Sequence, residues 1–149
     1  WEKEDTESDY DFEDALTISW WDNRSILFKN YEPFVDAFIK PVEWAVKSMN
    51  SKRYGDDTTN DFSIELDTDG FIEDFNCRFD LRNLDKHFVI NILSLAQQLD
   101  CLLLDRKGNL FHPTFEKLLE NIKLSNSFNF VMNPTDFLDK FSNGIIKPE

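Results

Sequence analysis

Eight consecutive residues, Glu65-Leu66-Asp67-Thr68-Asp69-Gly70-Phe71-Ile72, come closest to a recognised chemical motif in this chain. Carboxylates alternate ahead of a glycine, as in the first eight positions of a calcium-binding EF-hand loop, where such oxygens ligate a hard cation. The pattern then departs from that chemistry. Asn76 stands where a bidentate Glu closes the site, Glu65 replaces the opening Asp, and the flanks read as strands instead of helices. A hairpin turn accounts for the same residues, so no metal is assigned.

The other reactive residue types are sparse. His87 and His112 are the two histidines, and neither shares a metal-ligand spacing with Cys77 or Cys101. His87 falls in a first helical turn and His112 precedes a proline, which suits cap or surface roles. Nucleophilic catalysis lacks a G-x-S-x-G elbow, and both cysteines sit in apolar strand-like runs that favour buried free thiols. The 4 glycines form no phosphate-cradling loop. With 29 Asp and Glu, a pair of neighbouring carboxylates carries no specific meaning. The reading is therefore non-enzymatic, with no catalytic residue and no cofactor.

The bulk properties agree with a binding protein. The 149 residues fit one domain, and 15 Phe supply a core without help from metal or disulfide. A net charge of -13 repels phosphates and anionic membranes, which argues against nucleic-acid partners and favours a basic protein. The longest apolar run, Cys101-Leu102-Leu103-Leu104, is too short for a membrane span. Free thiols and the missing signal-peptide pattern point to the cytoplasm, although a chain beginning at Trp1 leaves a removed leader open.

Several elements must position these residues. Eight acids and one lysine within the first 14 residues predict a mobile acidic arm over residues 1–10, ahead of one domain over 11–143 and a frayed tail over 144–149. Leu16, Ile18 and Trp20 alternate as a strand, and Asp22-Asn23-Arg24-Ser25 is a turn. Asn30 and Pro33 open a helix whose apolar face runs from Phe34 to Met49, with Pro41 predicting a kink or two abutting helices. Residues 50–60 read as an exposed loop.

A hairpin follows, with Phe62, Ile64 and Leu66 facing Phe71, Phe75, Cys77, Phe79 and Leu81 across the Asp67–Gly70 turn. Asp85 caps a broad apolar helix, and Cys101–Asp105 with Leu110-Phe111 form a second hairpin. Pro113 opens a third helix. Asn133 caps a last one with Phe137, Leu138 and Phe141 inward. The predicted class is α+β, a mostly antiparallel sheet with helices on one face, in the order β-α-β-β-α-β-β-α-α.

From Asp80 onward the chain resembles small acidic bacterial immunity-type proteins, which neutralise a toxin encoded beside them. Leu95-Ala96, Cys101–Asp105, Gly108, Leu110-Phe111, Pro113-Thr114, Ser125, Phe130-Val131, Asn133-Pro134 and Phe137-Leu138 carry the likeness over roughly the last 60 residues. These are core and cap positions, so the resemblance implies a fold and a class of function and transfers no binding residue.

The expected function is stoichiometric inhibition of a basic toxin or effector domain. Trp21, Asp22, Asp56, Asp57, Asp67 and Asp69 are the candidate contacts: an aromatic anchor beside acids, and acids in turns near strand ends. A structural or adaptor domain of a larger assembly is the first alternative. A small ligand-binding domain or enzyme using buried carboxylates is the second.

Overall fold

A computed structural model of the chain describes residues 18, 20–22, 24–42 and 50–146. The predicted acidic arm and the end of the tail lie outside these residues. Helices and two antiparallel sheets make an α+β protein. Its residues gather into two compact units, one ending at Leu99 and one running on from Asp100.

The first unit is built on a three-stranded antiparallel meander. β1 (Ser51–Gly55), β2 (Asp61–Leu66) and β3 (Ile72–Arg78) lie in the order β1-β2-β3. Strand alternation sends Phe62, Ile64 and Leu66 inward, where all three are buried. Helix α1 (Glu32–Phe38) and helix α2 (Lys86–Gln98) pack on that face. Phe38 stacks on Phe62 with centroids 6.2 Å apart and meets Phe88 of α2 at 6.4 Å. Tyr54 of β1 stacks on Phe62 at 4.8 Å. Burial, then the nearby charges of Asp36 and Glu32, push the Tyr54 hydroxyl pKa far up.

Helix α2 follows its sequence signals. The Asp85 carboxylate accepts from the amides of His87 and Phe88, and six apolar side chains of the helix are buried. It stops where Asp100 takes a left-handed φ of 51°. The Arg24 guanidinium donates to the Leu99 carbonyl at this C-terminus, where a cation opposes the helix dipole.

Three expectations are corrected in this unit. Ile18 and residues 20–22 form a bend and a turn, not a strand, with the Arg24 amide donating to the Trp21 carbonyl at 2.9 Å. Asn30 sits in a 3-10 turn and caps nothing; α1 ends at Phe38, with Ile39 extended. Pro41 therefore lies beyond α1 and does not kink it. It bridges Tyr54 at the edge of β1, because the residue before a proline is driven out of the helical region. Residues 43–49 of the predicted helix lie outside the described residues. The expected loop at 50–60 instead contains β1, held by its pairing with β2.

The second unit opens with a short hairpin, β4 (Leu103–Leu104) and β5 (Leu110–Phe111). Three helices follow: α3 (Phe115–Leu124), α4 (Asn126–Met132) and α5 (Pro134–Ser142). Thr114, Ser125 and Asn133 cap them in turn. Leu138 and Phe141, expected inward, stay 53% and 44% exposed. Phe137 alone of the three is half-buried, against Phe130 at 5.7 Å. No described helix is long and apolar enough to cross a membrane.

Candidate protein-binding face

The six candidate contact residues do not form one patch. Asp56 and Asp57 lie in the β1–β2 turn, Asp67 and Asp69 in the β2–β3 turn. These turns cap opposite ends of β2, whose six residues at about 3.3 Å each hold them roughly 20 Å apart. Trp21 and Asp22 precede the Ile26–Phe28 segment, which is hydrogen-bonded to the β2–β3 end through Phe28 N–H to Gly70 O and Ile72 N–H to Ile26 O. Trp21 is half-buried, and the Arg24 guanidinium lies 5.8 Å over its ring. Asp22 is exposed.

The two ends of the sheet differ in charge balance. At the β1–β2 end two of the acids, Asp61 and Asp80, are tied to arginines. Arg78 donates to Asp61 at 2.8 Å and to the Asp57 carbonyl. Arg82 donates to both Asp80 oxygens and to the Thr58 carbonyl at 2.8 Å. Hydrogen bonds from the Arg82 side chain and amide hold the Asp80 carboxyl below its ordinary range. Thr58, through its hydroxyl and then its amide, does the same for Asp56. These carboxylates organise the turn and are partly neutralised.

At the other end, Asp67 is consumed by its turn, accepting from the amides of Asp69 and Phe71 at 2.9 and 2.8 Å. Those bonds explain the motif-like sequence as turn chemistry. Around it Glu65, Asp69, Glu73 and Asp74 are exposed. Among the described residues no salt bridge reaches any of the four. Among the described residues the side-chain donors to them are the neutral Ser51, to Glu65 at 2.8 Å, and Asn76, to Asp74. Glu65 and its partner Asp74 lie on the sheet face opposite the buried Phe62, Ile64 and Leu66, with Glu73 in the bulge and Asp69 in the turn beside them.

Glu65, Glu73 and Asp74 were missing from the sequence-based candidates; Glu65 and Asp74 face outward by simple alternation, and one feature explains Glu73. Consecutive strand residues point to opposite faces, so Glu73 and Asp74 cannot both face water on a regular strand. The register slips between Glu65 and Leu66: Glu65 pairs with Asp74, Leu66 with Ile72, and Glu73 is the extra residue of a β-bulge. The bulge places Ile72 in the core, where Phe71 was expected, and turns Glu73 outward. The signal was legible: strict alternation from Phe75 would have buried Glu73.

Cys77 faces inward from β3. Burial, then the Asp61 charge, raises its thiol to about 12, although the residue keeps some surface. The thiol is enclosed while the edge-strand residue is not, and such a group is a poor nucleophile. No charged side chain is buried among the described residues. Comparison with known proteins returned no matching family model, no matching curated protein and no matching solved structure.

Proposed function

We propose that this chain is a stoichiometric protein inhibitor of the immunity type, which binds a basic toxin or effector domain through the bulged end of its sheet. The observation carrying this reading is the segregation of charge across the open face of the meander. At the Arg78–Arg82 end the carboxylates of Asp56, Asp61 and Asp80 are bonded internally, whereas Glu65, Asp69, Glu73 and Asp74 face solvent without a cation. A partner's Lys and Arg would meet uncompensated charge there, which speeds encounter and fixes orientation. The enzyme or ligand-binding alternative draws on buried carboxylates, and every described Asp and Glu retains surface.

The test is co-expression with the protein encoded by the neighbouring gene, followed by size-exclusion chromatography at low and high salt. A one-to-one complex that weakens with salt, with the neighbour's toxicity suppressed, supports the reading. Separate elution at both salts overturns it and favours the adaptor alternative.

A further inference from the structure

The outer edges of the meander are treated differently. The edge of β1 is covered: Val42 N–H donates to Arg53 O at 2.8 Å, and Gly55 N–H to Lys40 O at 3.1 Å. On β3, only the first residue is met, through Ile72 N–H to Ile26 O at 2.9 Å. From Glu73 to Arg78 no backbone partner lies on the outer side among the described residues.

The direction of the free groups follows from bonds already fixed. Leu66 N–H turns towards β1, bonding Asn50 O, and its partner Ile72 turns away from β2. Antiparallel pairs alternate between bonded and non-bonded. Beyond the bulge, Glu65–Asp74, Ser63–Asn76 and Asp61–Arg78 are therefore the bonded pairs. Phe75 and Cys77 point their N–H and C=O groups outward.

We infer that this edge pairs with the same edge of a second copy of the chain. An antiparallel two-fold must match outward residues with outward residues, which leaves three registers. Centring on Phe75 sets Asp74 against Asn76 and gains no ion pair. Centring on Cys77 sets Asp74 against Asp80, a like-charge clash. Centring on Asn76 sets Asp74 against Arg78 twice, places the two Asn76 amides together, and exchanges backbone bonds between Phe75 and Cys77. All three outer-face pairs are complementary in this register, and the half-buried Phe75 and Cys77 are covered at the edge. Charged residues on an edge strand ordinarily block pairing. Here Asp74 faces Arg78 across the axis, where the guanidinium already bonded to Asp61 shares its charge with a second carboxylate, while the register centred on Cys77 is penalised. The product is a continuous six-stranded sheet whose polar face stays open.

The pairing is short, so the dimer is weak and concentration-dependent. Sedimentation velocity of the full chain at about 0.15 M salt, where net-charge repulsion beyond roughly 8 Å is screened, reads it directly. The expected result is reversible dimerisation, with amide exchange at Phe75 and Cys77 slowing as concentration rises. Asp74→Arg and Asn76→Asp are both on the exposed face and leave the core untouched; each is expected to weaken the dimer at least tenfold. Asp74→Arg with Arg78→Asp restores it. A monomer up to roughly 1 mM overturns the inference, as does a dimer that keeps its affinity in both single variants.

Discussion

Asp85 shows how much one side chain sets in this fold. Its carboxylate satisfies two amides that the first turn of α2 leaves without partners. Asp85→Ala is expected to cost about 1 kcal/mol, read as a lower urea midpoint with an unchanged slope. Cys77 makes a second prediction. Its folded pKa of about 12 stands above the ordinary 9.0, so the folded state retains a proton that the unfolded state releases. Its contribution is complete below pH 9 and is lost as pH rises towards 12; the buried Tyr54 acts in the same sense. Stability should fall through this alkaline window, and less so in Cys77→Ala. A thiol reagent at pH 8 should leave Cys77 unmodified until the chain unfolds. At this scale the sequence announced the caps at Asp85 and Asn133 because capping is local chemistry. Of the four uncompensated acids at the bulged end it singled out Asp69 alone; that arginines would reach the carbonyls of Asp57 and Thr58 depends on pairing between residues some 20 positions apart.

The turns show a recurrent element. Asp67-Thr68-Asp69-Gly70-Phe71 and Asp105-Arg106-Lys107-Gly108-Asn109 make the same bonds: the Asp carboxylate accepts from the amides two and four residues on, and its N–H donates to the fifth carbonyl. Asp56–Asn60 repeats the amide-to-carbonyl closure, with Thr58 as donor to the carboxylate. In the first two, glycine takes the left-handed position that closes a three-residue hairpin loop. Gly70 has a φ of 87° and open space beyond it, so Gly70→Ala should cost about 1–2 kcal/mol and Gly70→Asn less. At Gly55, with the same φ, an added Cβ would lie 2.3 Å from the Asn60 carbonyl oxygen. Gly55→Ala should therefore be the more damaging change in thermal unfolding. Such turns are readable as D-x-x-G. β1 was not, because Lys52 and Arg53 leave Tyr54 as its one buried apolar side chain, and its strand character comes from pairing with β2. The α1 boundary failed for a related reason: apolar spacing continued past Pro41, while the backbone left the helix at Ile39.

For the whole molecule, charge is the governing quantity, and its distribution matters more than its sum of -13. The α+β class followed from the alternation of strand and helix periods, which does not require knowing any contact. The position of uncompensated charge did require it, since the same acids serve as turn formers at one end of the sheet and stand free at the other. The most direct test of the account is the association rate with the neighbour-encoded protein, measured at low and moderate salt for two charge-reversed variants. Replacing Glu65, Asp69, Glu73 and Asp74 by Lys should slow association at least tenfold at low salt and flatten its salt dependence, while replacing Asp56 and Asp57 by Lys leaves both nearly unchanged. Equal loss in the two variants, or no loss in the first, would contradict binding through the bulged end of the sheet.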